Sequence, residues 1–447
     1  MKQRKGLAAA GLLLVVAALA LGGERLLQGR PAPSRPVAAE GPAGPDRLDS
    51  SLALLQKRVA ADPYSAQDRA WLASLFLQRA RETGSSDDFL RAEEAARRSL
   101  ELRSAHNSGT YATLALALLE QHRFAEALQA ARSVMEADPE NASYRALVAE
   151  IQLEVGDYRA ADVVFGSLES ARQNLDVAPR LARWAEISGR PAEARSLLHA
   201  ARDLAVRRPG LVPEQVAWFH LRVGDFELRH GDLDAAEEAL RAGLEVFPED
   251  RRLLAATARL EGARENWAEA IDFGERAVAA AAEPGTLALL ADLYAASGDA
   301  ERAAEYARVV EVSLAGSAEA YHRAEGLFLL DHGRRVPQVL AQARADLRTR
   351  RDVYGHDLLA WALHRSGRHA EARQAMTAAL ARGTRDPMLL YHAGMIEKAL
   401  GRPERSREYL RDALDIAPNF HPVHARLARE ALACQAPLRL ALRVGCD

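Results

Sequence analysis

Short strings that begin with a turn residue recur along most of the chain at nearly constant spacing. Six begin with glycine, namely GDYRAAD at Gly156, GRPAEAR at Gly189, GDLDAAE at Gly231, GDAERAA at Gly298, GRHAEAR at Gly367 and GRPERSR at Gly401. With equivalent turns at Asp87, His122, Glu265 and Gly333, the consecutive steps are 35, 34, 33, 42, 34, 33, 35, 34 and 34 residues. Regular self-similarity of this kind predicts an array of stacked structural repeats.

The residues between the turns are typical of closely packed helices. Ala and Leu supply most of the 49% hydrophobic content, and the β-branched residues that favour strands are sparse. One position of each first helix, seven residues before the turn in nine of ten units, is always Ala or Gly: Ala73, Ala115, Ala149, Ala182, Gly224, Ala258, Ala291, Gly326, Ala360 and Gly394. Because such residues let two helix backbones approach closely, this column predicts helix pairs.

The combination resembles the tetratricopeptide repeat (TPR) family, whose unit is two helices marked by W-x2-L-G-x2-Y, A-x3-F and P. The second-helix Ala is kept in eight of ten units. The resemblance implies an all-α fold, a right-handed α-solenoid of about ten TPR helix-turn-helix units over residues 47–433, with capping helices over 48–61 and 422–432. It also implies a concave groove, lined by the first helices, that binds protein or peptide partners.

The N-terminal residues predict export. Three cations among the first five residues precede an uncharged apolar stretch over residues 6–23, so residues 1–23 are predicted to be a signal peptide or a signal anchor. Cleavage and retention as an inner-membrane tether both stay open, because 18 uncharged residues reach the lower limit for spanning a bilayer. Either alternative places the body of the protein in the periplasm or another extracytoplasmic space. The Pro/Gly-rich residues 24–46 predict a spacer.

The C-terminal residues 434–447 are predicted to be a short tail, and they hold the two cysteines of the chain, Cys434 and Cys446. In an oxidising exported compartment an even cysteine count at short spacing favours a disulfide. The alternative is a pair of free thiols.

Motifs that carry chemistry are missing from the sequence. It contains no G-x-G-x-x-G, G-x-x-x-x-G-K-[ST], H-E-x-x-H or G-x-S-x-G string. The repeats also leave no stretch that could house a catalytic domain, so we predict a non-enzymatic protein without a cofactor. With 59 Lys+Arg against 62 Asp+Glu, the chain lacks the positive excess that nucleic acid binding usually needs.

The predicted partner site lies in the last three units. The residue after the small-residue column is charged, with alternating sign, from Glu150 to Asp292, which predicts pairing between adjacent units. From Leu327 onward the column becomes apolar. Large aromatic and Met side chains dominate interface hot spots, and the predicted partner-binding residues are Leu327, Tyr354, Trp361, His364, Met388, Tyr391 and Met395. The alternative is that Trp361 and its neighbours are buried between stacked helices.

Histidines in the last quarter of the chain suggest a second function, an accessory protein that handles a metal or cofactor during maturation of another exported protein. His421 and His424 are three residues apart and could share a metal on one helical turn. Against this, His220, His322 and His356 fall where the TPR family has a packing aromatic residue. A non-enzymatic interaction scaffold or assembly factor is therefore the favoured prediction, with no metal site.

Overall fold

The computed structural model describes residues 45–315 and 323–434, and no strand occurs in these ranges. The first eleven α-helices are α1 Pro45–Ala61, α2 Ala66–Thr83, α3 Ser86–Leu102, α4 Ser108–Glu120, α5 Phe124–Ala137, α6 Ala142–Val155, α7 Tyr158–Gly166, α8 Ala178–Ile187, α9 Pro191–Arg207, α10 Pro213–Arg229 and α11 Leu233–Val246. The next eleven are α12 Arg251–Ala263, α13 Trp267–Ala280, α14 Pro284–Ser297, α15 Ala300–Ala315, α16 Arg323–Asp331, α17 Val336–Asp346, α18 Val353–Arg365, α19 His369–Ala379, α20 Pro387–Ala399, α21 Pro403–Ile416 and α22 His424–Cys434. Two short 3-10 helices are Glu169–Ala171 and Leu380–Arg382.

The helices follow the predicted repeat. Helices α2 to α21 form ten consecutive pairs, and α1 and α22 stand at the two ends as the predicted caps. Helix α1 begins at Pro45, so the predicted spacer 24–46 ends slightly earlier than expected. The predicted export segment 1–23 and most of the spacer lie outside the described residues.

The described chain divides into two compact units at residue 151, inside α6. The first unit runs to Ile151 and includes Pro209–Leu211; the second contains Gln152–Arg208 and the residues from Val212 onward. Each unit has its own apolar core, in which Leu side chains of one helix pack against Ala of the next. The long step in the repeat comes mainly from longer helices: α9 and α10 have 17 residues each, against 14 in α11 and 13 in α12. The expected loop there is only the short non-helical stretch 208–212.

The turn column is explained by backbone conformation. Nine of the ten predicted turn positions adopt a positive φ, between 57° at His122 and 92° at Gly298. The exception is Asp87, since the first pair is joined instead through Gly84, which has a φ of 75°. Glycine adopts this left-handed region without the penalty that a Cβ imposes, so glycine fills seven of these nine turn positions, with His122 and Glu265 at the other two.

The small-residue column also has a direct structural cause. All ten residues of that column are buried. At Gly224 an added Cβ would lie 2.5 Å from Leu240 Cδ2 on the paired second helix, and at Gly394 it would lie 2.6 Å from Leu410 Cγ. The column therefore marks the closest approach of the two helices in each pair.

The second unit closes on itself, a feature that the repeat pattern does not predict. The N–H of Arg351, at the start of the ninth pair, donates to the carbonyl of Val155 at 3.0 Å. Thr384 Oγ1, before the tenth pair, donates to the carbonyl of Ile187 at 2.5 Å. Each contact joins the turn of one pair to the residues that precede a pair six units later. We call this set of contacts the closure.

Charged side chains strengthen the closure. Arg382 donates through Nη1 and Nη2 to both carboxylate oxygens of Asp162, at 2.8 Å each, and through Nη2 to Ser188 Oγ at 2.6 Å. A bidentate arginine–carboxylate pair is among the strongest hydrogen-bonded pairs in proteins. The guanidinium lowers the pKa of Asp162 below its usual range, so this carboxylate stays charged.

Candidate functional site

The seven predicted partner-binding residues lie on the first helices α16, α18 and α20 of the second unit. Four of them are buried: Leu327, Tyr354, Trp361 and Tyr391. The other three are partly exposed: His364, Met388 and Met395. The expectation of an exposed aromatic surface is thus wrong for the four buried side chains, which pack between helices as in the alternative. A role of the seven residues in partner binding stays a prediction.

Trp361 has the environment of a core residue. Its Nε1 donates to Asp331 Oδ1 at 2.7 Å, and its ring stacks on His392 with centroids 4.2 Å apart. Only 2% of the residue is exposed. A buried Trp whose N–H is hydrogen-bonded contributes its large apolar area to stability.

The C-terminal residues 417–424 cover part of the predicted site. His424 stacks on the ring of Tyr391 with centroids 4.7 Å apart. Asn419 Nδ2 donates to the carbonyl of Ala263, at the end of α12, at 2.8 Å. Burial lowers the pKa of His424 well below its ordinary value, so its ring is neutral near pH 7. A segment of this chain therefore occupies surface that the sequence assigned to a partner.

A buried charge network fixes the same helices. Asp357 is fully buried; Arg323 Nη2 donates to its Oδ2 at 2.6 Å, and His392 Nδ1 lies 2.7 Å from its Oδ1. Although burial acts to raise it, the pKa of Asp357 is lowered to about 2 by His392 and Arg323. The Arg323 guanidinium also lies 4.6 Å from the ring centroid of Tyr354. Tyr354 is thus part of a structural network.

The rings of His421 and His424 stack with centroids 4.2 Å apart, but the two side chains lie against different carboxylates. His421 Nε2 lies 3.5 Å from Asp292 Oδ2, whereas His424 Nε2 lies 3.5 Å from Asp331 Oδ1. Across residues 45–315 and 323–434, no three His, Cys, Asp or Glu side chains are grouped so that they could hold a metal ion. The metal-handling alternative therefore stays a prediction that rests on His421 and His424 alone. The predicted disulfide joins Cys434, the last residue of α22, to Cys446, which lies outside the described residues. The disulfide therefore stays a prediction.

The charged column continues along α8, α10 and α12, where the Arg183 and Asp225 side chains are mostly buried and Arg259 is half exposed. We call the side of these helices that carries Arg183, Asp225 and Arg259 the inner face. Arg259 Nη2 donates to Asp225 Oδ1 at 2.7 Å, which confirms the predicted pairing between adjacent units at this position. Asp292 instead lies beside His332, and the distance from His332 Nε2 to Asp292 Oδ1 is 3.1 Å. The Arg259 side chain is 48% exposed, so the inner face is open to solvent here.

An arginine cluster on α8 and α10 was missed by sequence reasoning. It consists of Arg183, Arg222 and Arg229 around Glu186. Arg229 Nη2 and Nε donate to Glu186 Oε1 at 2.9 and 3.2 Å, and Arg183 Nη1 lies 3.7 Å from Oε2. Although burial acts to raise it, the pKa of Glu186 is lowered to about 2 by Arg229 and Arg183. Arg222 and Arg229 are seven residues apart, two helical turns on one side, and that spacing was the available signal.

Comparison with known proteins agrees with the repeat assignment. The tetratricopeptide repeat family model matches residues 224–284 and 358–419. None of the curated proteins matches the sequence. Together with the ten helix pairs, the match shows that the chain carries tetratricopeptide repeats and is an all-α TPR solenoid.

Solved structures similar to the chain share low sequence identity with it. The APC/C hetero-tetramer Cut9-Hcn1 is 12% identical over 87% of this chain and 93% of that chain, with a TM-score of 0.32. PilW, a type IV pilus biogenesis factor, is 18% identical over 48% and 96%, with a TM-score of 0.40. The human IFIT1 dimer with PPP-AAAA is 15% identical over 84% and 95%, with a TM-score of 0.45. In the part of the chain that the structure describes, no helix is both long and apolar enough to cross a membrane.

Proposed function

We propose that the protein is a non-enzymatic scaffold or assembly factor, exported from the cytoplasm, that binds a segment of a protein partner on the inner face. The observation that carries this proposal is the contrast between two parts of the second unit. The aromatic residues Tyr354, Trp361 and Tyr391 of the last units are packed or covered, while Arg259 of α12 remains half exposed. A TPR solenoid offers partners an extended concave surface, and the exposure of Arg259 supports placing the partner on this side of α12. Export, with or without a tether through residues 6–23, is part of the proposal and rests on the sequence alone.

Site-specific photo-crosslinking in intact cells tests the proposed function. A photoreactive amino acid at Arg259 reports on the inner face, and the same residue at Arg241 is the matched control. Arg241 lies on the second helix α11, is 66% exposed and pairs with Glu245 of its own helix. Loss of either exposed ion pair costs at most about 1 kcal/mol, so both variants stay folded.

We expect a discrete partner adduct from position 259 and none from position 241, in a fraction released by osmotic shock or retained with envelope membranes. Equal adducts from both positions, or none from the inner face, would contradict partner binding there. Adducts found only with cytoplasmic proteins would contradict export while leaving the scaffold function in place.

A further inference from the structure

Two neighbouring histidines, His364 and His369, lie at the turn of the ninth helix pair. His364 is in the last turn of α18, and His369 is the first residue of α19. Their ring centroids are 5.0 Å apart, and the ring of His364 also stacks on Trp361 with centroids 4.8 Å apart. In the part of the chain that the structure describes, the Nδ1 atoms of both histidines are buried without a hydrogen-bond partner. The two rings are therefore packed but not held by polar contacts at Nδ1.

The surroundings of His364 offer no counter-charge. The groups whose charge acts on it come from three helices and are all basic: Arg365 of α18, His369 of α19 and His392 of α20. The carboxylates of these and neighbouring helices are engaged by other side chains: Asp331 by Trp361 Nε1 at 2.7 Å, Asp357 by His392 and Arg323, and Glu371 by Arg368 at 2.6 Å. Within residues 45–315 and 323–434, neither His364 nor His369 forms an ion pair. A proton taken up by His364 in its packed position thus creates a charge without a partner.

The fold favours the neutral form of His364. Burial, and then the charges of His369, Arg365 and His392, lower its pKa from the ordinary value of 6.5 to about 4. A basic group whose pKa is lowered in the packed state stabilises that state fully above its ordinary pKa, and the stabilisation is lost as the pH falls from 6.5 towards 4. Buried histidine clusters change conformation on protonation for this reason.

The ring of His364 covers Trp361 and has a path to solvent. Trp361 is 2% exposed, and its ring plane lies at 15° to that of His364. His364 itself keeps part of its surface accessible, and the turn residues 365–368 that follow it are exposed. The ring can therefore move away from the indole without separation of the helices.

We propose that His364 and His369 form an acid-sensitive latch over Trp361. When His364 takes up a proton, its ring leaves the indole for solvent, and one face of Trp361 becomes exposed. An aromatic residue that the sequence predicts to bind partners is thus covered at neutral pH and uncovered by acid. The latch lies on α18 and α19, whereas Arg259 lies on α12, so the latch can fail while the proposed function stands.

Chemical labelling of tryptophan in the full chain tests the latch. The reagent is 2-hydroxy-5-nitrobenzyl bromide, and peptide mass spectrometry gives the rate at each of the five tryptophans. Rates are divided by the rate for N-acetyltryptophanamide at the same pH. We expect the relative rate at Trp361 to rise about tenfold between about pH 7 and about pH 5, because the opening equilibrium follows the protonation of His364. The other four tryptophans should change by less than about twofold.

The variants are His364→Phe, which keeps a ring on Trp361 but cannot be protonated, and the uncharged, non-aromatic His364→Gln. Both should lose the pH response at Trp361. The matched control is His106→Asn, which removes an exposed histidine outside the pair and should keep the wild-type response.

A wild-type rate at Trp361 that does not rise with acid would overturn the latch. The same rise in His364→Phe and His364→Gln would overturn it as well. An equal rise at all five tryptophans would mean general acid unfolding, which also contradicts a local latch.

Discussion

Gly189→Ala is expected to destabilise the second unit by about 3 kcal/mol more than Gly367→Ala, a difference equal to the loss of two or three hydrogen bonds of the closure. Both glycines end a first helix with nearly the same positive φ, 70° and 76°. A Cβ at Gly189 would lie 2.4 Å from the carbonyl oxygen of Gly383, whereas at Gly367 it would meet nothing within 4 Å. The Gly383 oxygen belongs to the backbone and cannot rotate away, so the two segments must separate.

Gly367→Ala serves as the control because it carries the conformational penalty alone, about 1–2 kcal/mol. Denaturant unfolding of both variants beside the wild type gives the difference directly. Equal destabilisation of the two variants would mean that the residues around Gly189 and Gly383 do not touch in solution.

Trp361→Ala is expected to cost about 3–5 kcal/mol of stability, the usual range for removing a large buried aromatic side chain. The substitution leaves a cavity beside His392 and removes the donor to Asp331. Burial raises the pKa of Asp331, and losing the Trp361 N–H leaves that carboxyl with one fewer partner. The thermal transition of the second unit should move to lower temperature accordingly.

The matched aromatic control is Tyr64→Ala. Tyr64 is 78% exposed, so its removal should change the free energy of unfolding by less than about 0.5 kcal/mol. A Trp361→Ala protein as stable as the Tyr64→Ala protein would restore the prediction that Trp361 is an exposed binding residue.

The local architecture could be predicted because each TPR unit encodes its own turn and its own closest helix approach. A positive φ at the turn selects glycine, and a helix pair in close contact selects Ala or Gly at one position. Both requirements act within a single unit of about 34 residues, so they repeat in the sequence. The ten helix pairs and two caps follow from this periodicity.

The closure could not be predicted, because turn glycines that contact a distant segment look the same in the sequence as turn glycines that contact nothing. Gly156 and Gly189 each approach backbone atoms of a segment six units later, while Gly367 and Gly401 have open space around them. All four are turn glycines with positive φ. A repeat pattern reports what a residue does inside its own unit and carries no information on distant units.

The burial of Tyr354, Trp361 and Tyr391 could not be predicted for the same reason. The residues that cover Tyr391 come from the segment 417–424, whose path across the first helices no periodicity records. The repeat pattern does not reveal the arginine cluster, because Arg222 lies two residues before the small-residue position Gly224 and not directly after it. Its significance depends on which carboxylates lie nearby, and Asp225 and Glu186 are both engaged by other arginines.

The central claim is that the second unit closes on itself, and a distance between two spin labels tests it most directly. The labels are attached at Arg159→Cys and Arg385→Cys in a chain whose Cys434 and Cys446 are replaced by serine. Each label lies three residues from one member of the Asp162–Arg382 ion pair, whose nitrogen and oxygen atoms are 2.8 Å apart. Along the stacked helices the two sites are separated by about 100 Å, at about 8–10 Å per helix. The closure predicts a narrow distance distribution centred below about 30 Å, from the reach of the short intervening segments. A broad distribution centred beyond about 45 Å, well outside that reach, would contradict the closure.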